Sequence, residues 1–233
     1  MALYKLYSDA LEPSVCGNIL QSALESPLVG KSPLNAHFAQ SRGFAFTAKA
    51  AGLTKIKTTY PYLEPALRAI FNPNTQHPTQ RWFERPQEPN AFYINVLLLP
   101  ATAAVGAHID ATLAKPNEVT TLRPKFVSVL YLNSLGEQEG GELELFKGDT
   151  NIVQIRPTQG SLLRFAGHIK HGIHAFNPLE PTSVRASIIC EHYHFAGTKL
   201  ASIPDYKKHR RQPFANYLKE AKGRDAQVDV EYG

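Results

Sequence analysis

The sequence has little sulfur and no long apolar run. Its 233 residues hold two cysteines, one methionine and one tryptophan. Cys16 and Cys190 are too few for a disulfide framework, which excludes a small stapled secreted domain. The longest apolar stretch, "VLLLPATAAVGA", is interrupted by Pro100 and Gly106. It falls short of the roughly 20 residues that a membrane helix needs, so no membrane partner is expected. The opening "MALYKLYSDALEPS" carries Lys5 and Asp9 where a secretory leader would be apolar. A reducing, cytoplasmic setting is therefore the expectation. A Gly-rich phosphate loop is also missing. So is the strand-turn-helix elbow that would make Cys190 a nucleophile, and Cys190 reads as a buried thiol.

What remains is an ordinary globular composition, 43% hydrophobic and 19% charged, enough for one good-sized core. The net charge of +5 is unevenly placed. Asp205, Lys207, Lys208, Arg210, Arg211, Lys219, Glu220, Lys222 and Arg224 together carry the whole excess. A basic tail can meet nucleic acid, but a solvated charged end is the simpler reading and is favoured.

Helical spacing of Val15, Ile19, Leu20, Ala23 and Leu24 predicts a helix over 12–25. Leu63, Ala66, Leu67 and Ile70 predict a second in "YLEPALRAIFN". Residues 72–90, with Trp82 and Phe83, read as an irregular connection. From Phe92 the texture turns to eight short β-like runs: "FYINVLLL", "VGAHI", "FVSVLYLN", "GELELF", "NIVQIR", "SLLRF", "HGIHAF" and "VRASIICEHYHF". Their separators, "GEQEGG", "KGDT" and "RPTQG", are turn sequences. Many short strands without intervening helices predict a mainly β fold with flanking helices (α+β). Its core would be a double-stranded β-helix, or jelly roll. "QPFANYLKEAKG" predicts a last helix, with Pro213 at its start and Gly223 at its stop. The whole chain, 1–233, reads as a single domain. It has a helical N-terminal part over about 1–90, a jelly-roll core over about 91–195 and a basic helical tail over about 196–233.

The chemistry lies in "VGAHIDAT", where His108 and Asp110 stand two positions apart. On a strand such residues share a face. His-x-Asp is common and alone means little. A histidine from a later strand would complete a 2-His-1-carboxylate set, which holds Fe(II) by one face and leaves the other open. His168, His171 and His174 are all candidates by position. "EHYH" offers His192 and His194 as a cupin-like pair, but the cupin's spaced Gly and Glu are missing and both read as ordinary strand residues.

Residues 90–195 resemble the prolyl-4-hydroxylase-like branch of the 2-oxoglutarate- and Fe(II)-dependent oxygenases. The resemblance rests on His-x-Asp, "YLN", "GGEL", "GSLLRF" followed six residues later by "HGI", and the "VRASII" strand. It implies that His171 is the distal ligand, so that His108, Asp110 and His171 hold Fe(II). It further implies that Arg185, helped by Ser187, grips the far carboxylate of 2-oxoglutarate. Tyr93, Asn95, Tyr131 and Asn133 are candidate walls of that cofactor pocket. In this sequence "NPLEPTS" lengthens the turn before Arg185, and the strand ahead of His-x-Asp lacks the family's Gly-centred pattern.

The implied activity is hydroxylation of an unactivated C–H bond with O2. The co-substrate 2-oxoglutarate is oxidatively decarboxylated to succinate and CO2, and ascorbate serves as activator. A prolyl, other amino-acid or peptide group, or a small metabolite, is the implied substrate. The alternatives are an AlkB-type nucleic-acid demethylase and a non-catalytic sensor of metal or 2-oxoglutarate. A polar loop over 111–124 is a candidate cover for the site.

Overall fold

The computed structural model describes residues 3–32, 41–72, 88–114, 122–180 and 183–209. In chain order its elements are β1 (Tyr4–Tyr7), α1 (Pro13–Glu25), β2 (Gly30–Ser32), β3 (Ser41–Lys49), α2 (Gly52–Thr59), a 3-10 turn (Pro61–Leu63) and α3 (Glu64–Phe71). There follow β4 (Ala91–Leu99), β5 (Val105–His108), β6 (Phe126–Tyr131), β7 (Leu143–Lys147), β8 (Thr150–Ile155), β9 (Leu162–Ala166), β10 (Lys170–Ile173), β11 (Arg185–Tyr193), α4 (Gly197–Ser202) and β12 (Tyr206–His209).

The strands form two antiparallel sheets. The larger runs β1-β9-β6-β11-β4-β3-β12, with β2 paired to β3, and the smaller runs β5-β10-β7-β8. This is a jelly-roll core, as the turn-punctuated strand pattern predicts. All eight core runs read from the sequence are strands here.

Alternation along β11 sets the layers. Ala186, Ile188 and Cys190 face outward and pack with Ile19, Leu67 and Ile70 of α1 and α3. Those helices form where predicted: Pro13 opens α1, whose Cys16, Ile19 and Ala23 are buried on one side. Ile189 faces the other way, toward Leu97, Val105 and Ile173 between the sheets. Nearby, Val127, Val129 and Phe165 meet Leu143, Leu145 and Ile155 of the smaller sheet. Both faces of the large sheet are therefore covered, which is why β4 is buried throughout and reads as a nearly continuous apolar run.

Two expectations are corrected. The first 90 residues are not simply helical, because they also hold β1, β2 and β3. β3 pairs with β4 from Arg42 to Lys49, and its Phe44, Phe46 and Ala48 alternate with period two onto the helical layer. The described part of the tail is not helical throughout, because a short α4 is followed by the strand β12. In β12, "YKKH", two exposed lysines mark an edge strand. The helix predicted around Pro213–Gly223, Trp82 and Phe83, and residues 115–121 of the candidate covering loop lie outside the described residues. Cys16 and Cys190 are both buried and unbridged.

Candidate active site

β5 and β10 are neighbours in the small sheet, and His108 pairs directly with His171 in their register. Cross-strand pairing thus brings together two side chains that are 63 positions apart in the chain. Asp110 lies just past the end of β5. Its Oδ1 is 3.4 Å from His108 Nε2 and its Oδ2 is 3.4 Å from His171 Nε2. One donor atom from each of the three residues falls within a 4.8 Å span, a fitting size for a single metal ion.

The tautomers are set by the backbone. His108 Nδ1 donates to the Gly106 carbonyl at 2.8 Å, and His171 Nδ1 donates to the Ile169 carbonyl at 3.2 Å. A carbonyl only accepts, so each Nδ1 carries a proton and each Nε2 faces Asp110. The Phe165 ring, 4.8 Å from the His171 ring by centroids, fixes the plane of that imidazole. Burial, aided by the nearby His108, pushes His171 down to about 4 against the opposing pull of Asp110. At neutral pH His171 is therefore a neutral donor. Burial acts to raise Asp110, but the two imidazoles outweigh it and hold the carboxyl low. Burial acts to lower His108, but Asp110 outweighs it and raises that imidazole. The set is two imidazoles and one carboxylate.

Of the rival histidines, His168 is exposed and His174 Nε2 lies 2.8 Å from Glu144 Oε1. His192 points to the outer face, 3.1 Å from Ser128 Oγ and stacked on Phe126. His194 Nδ1 donates to the Glu88 carbonyl.

Beside the triad a cavity runs along the inner face of β11. It is lined by Arg185, Ser187, Ile189 and Glu191. Six residues of strand span about 20 Å, so Arg185 and Glu191 mark opposite ends. At the first end Arg185 is fully buried. Its Nε donates to the Gly141 carbonyl at 2.7 Å, and its guanidinium lies over the Tyr131 ring. Gly141 belongs to the "GGEL" motif and has φ +76°. A Cβ there would come 2.7 Å from Leu135 Cδ1 and 3.2 Å from Arg185 Cδ. Only glycine turns this corner and lets the guanidinium pass.

The remaining donors at this end, Arg185 Nη1 and Nη2, Ser187 Oγ and the Tyr131 hydroxyl, have no hydrogen-bond partner among the described residues. Burial lowers Arg185 somewhat and pushes Tyr131 up to about 12, so the arginine stays cationic and the phenol protonated. A buried guanidinium with both terminal nitrogens unpartnered is a cradle for a carboxylate. The donor set thus fits the far carboxylate of a dicarboxylic acid.

Tyr93 and Asn95 line the cavity from β4, opposite Glu191 and Ile189, nearer the far end. Asn133 does not line it. Its side chain donates to the Val184 carbonyl and accepts from Ala186 N–H, tying β6 to β11. Glu191 escaped the sequence reading. It is buried, and burial with the nearby Asp110 pushes it up to about 8. Alternation with Arg185 and Ser187 puts it on the cavity face of β11.

Residues 94–190 match the family model described as the 2OG-Fe(II) oxygenase superfamily. No curated protein matches the sequence. Among solved structures, the fold resembles a Pseudomonas putida prolyl-4-hydroxylase at 14% identity, with TM-score 0.52, covering 83% of this chain and 94% of that one. It also resembles a Trichoplax adhaerens prolyl hydroxylase solved with a hypoxia-inducible-factor peptide fragment. There the identity is 16% and the TM-score 0.53, over 82% and 83% of the two chains. A Burkholderia pseudomallei oxidoreductase of the 2OG-Fe(II) oxygenase family matches at 16% identity and TM-score 0.55, over 84% and 87%. Residues 94–190 thus match the 2OG-Fe(II) oxygenase superfamily, and the fold that surrounds them is similar to that of prolyl-4-hydroxylases.

Proposed function

We propose that the chain works as one unit to hydroxylate an unactivated C–H bond, with His108, Asp110 and His171 as the ligands of Fe(II). When bound, iron with 2-oxoglutarate and O2 supplies the oxidising chemistry, in which the co-substrate ends as succinate and CO2 and one oxygen atom reaches the substrate. Arg185, Ser187 and Tyr131 hold the far carboxylate of 2-oxoglutarate, the guanidinium as a planar fork and the hydroxyls as further donors. Leu97, Val129, Leu143 and Ile173 supply the apolar walls that keep water from the reacting centre. Tyr93 and Asn95 form the wall nearer the metal.

The observation that carries this reading is the cationic cradle at Arg185, buried beside a three-ligand metal constellation. A sensor would share both features, but a metal site left open on the cavity side suits turnover. Substrate identity follows from chemistry only in class. A prolyl or other amino-acid group in a peptide is the class we favour, followed by a free amino acid or small metabolite. The peptide held by the Trichoplax enzyme is consistent with that preference. Ascorbate is the activator we expect in the assay. The test is succinate release under Fe(II), 2-oxoglutarate and O2 across a panel of peptides and metabolites. Substrate-stimulated succinate with equimolar hydroxylated product supports the reading. Binding of both metal and 2-oxoglutarate without turnover on any candidate supports the sensor instead.

A further inference from the structure

The far end of the cavity holds an arrangement that the ligand set does not explain. β5 ends at His108, so no strand ladder fixes Asp110. Two residues on, Thr112 donates to Glu191 twice, from its backbone N–H to Oε2 at 3.1 Å and from Oγ1 to Oε1 at 2.5 Å. The Tyr193 hydroxyl donates to the same Oε2 and accepts from Leu113 N–H at 3.4 Å. Glu191 and Tyr193 are both buried, and Leu113 packs on the cluster of Ala91, Tyr193 and Phe195. A turn, with Ala114 N–H on the Ala111 carbonyl, closes the segment.

We infer that Glu191 and Tyr193 are positioning residues, which pin Thr112 and Leu113 to β11 and so hold the Asp110 carboxylate against the two imidazoles. The inference rests on the proposed role of Asp110 as a metal ligand. Burying a second carboxyl so close to Asp110 costs desolvation and repulsion. Alternation along β11 puts residue 191 on the cavity face, where an apolar side chain would avoid that cost. Here its oxygens are spent on the loop that carries the ligand. Orientation of a ligating carboxylate by such outer contacts commonly governs metal affinity.

Titration of the full chain with Mn(II), followed by the electron paramagnetic resonance of the free ion, tests this without any turnover. Glu191→Ala is expected to weaken Mn(II) binding by about tenfold or more. Thr112→Val, which removes one hydroxyl at nearly constant volume, and Tyr193→Phe should each weaken it by a smaller factor. Glu191→Gln, which keeps an acceptor for Thr112, should recover part of the loss. A purely structural role predicts something different: a lower unfolding temperature with unchanged Mn(II) affinity in the folded protein. If Glu191→Ala does not fold, Thr112→Val decides. Wild type binding Mn(II) with both variants equally tight overturns this inference and leaves the metal site standing. Wild type failing to bind Mn(II) overturns the metal assignment, and the positioning role with it.

Discussion

His108 and His171 are direct cross-strand partners, with ring centroids 4.4 Å apart. The register of β5 on β10 therefore fixes the spacing of the two imidazoles, and a slip of one residue would turn one of them away. The proposed metal centre would take its two nitrogens from that ladder, whereas its carboxylate comes from the loop after β5.

The first prediction separates the three nearby histidines. His171→Ala should abolish Mn(II) binding, because Asp110 and His108 alone leave the site one donor short. His168→Ala and His174→Ala should bind as wild type, since one is exposed and the other is engaged with Glu144. Calorimetric titration of the three variants checks this. Loss of binding in His168→Ala would move the ligand and undo the register argument.

Gly141→Ala is predicted to destabilise the protein by about 1–3 kcal/mol, the usual range for a side chain forced into a left-handed backbone. The added methyl would also meet Leu135 and Arg185. Urea unfolding should show the loss, and 2-oxoglutarate affinity should fall with it, because the Gly141 carbonyl anchors Arg185 Nε. An affinity unchanged in the folded variant would mean that the guanidinium finds its place without this corner.

A third prediction concerns pH. Burial, with a smaller contribution from Lys207, pushes His209 down to about 4, and its Nε2 lies 2.9 Å from Thr47 Oγ1. The folded state thus holds His209 neutral, while the unfolded chain protonates it near 6.5. Stability from this residue is present above about 6.5 and is lost as pH falls through about 4. His209→Gln keeps a hydrogen-bonding group but cannot titrate. Its urea midpoint should fall less than that of wild type between pH 7 and pH 4.5. Parallel pH profiles would show that β12 carries no such acid sensitivity.

Much of this was legible in the sequence, for physical reasons. The eight core strands alternate or run apolar between turn residues, and "GGEL", "YLN" and "HGI" mark places where backbone geometry restricts the residue. β3 went unread although Phe44 and Phe46 alternate, because its neighbours Gly43 and Ala45 blur the pattern. β1 and β12 are four-residue edge strands, too short for periodicity to register. The role of Glu191 was illegible for a different reason. Alternation with Arg185 and Ser187 turns it inward, but its partner Thr112 lies 79 positions away, and only the folded chain brings the two together.

The measurement that tests the central claim most directly is titration of 2-oxoglutarate against Mn(II)-loaded wild type and Arg185→Ala. Losing one side of a buried, charge-assisted carboxylate contact typically costs about 2–5 kcal/mol. The account therefore predicts at least about a tenfold weaker affinity in the variant, with Mn(II) binding nearly unchanged. Equal 2-oxoglutarate affinities in the two proteins, or no metal-dependent binding in wild type, would contradict it.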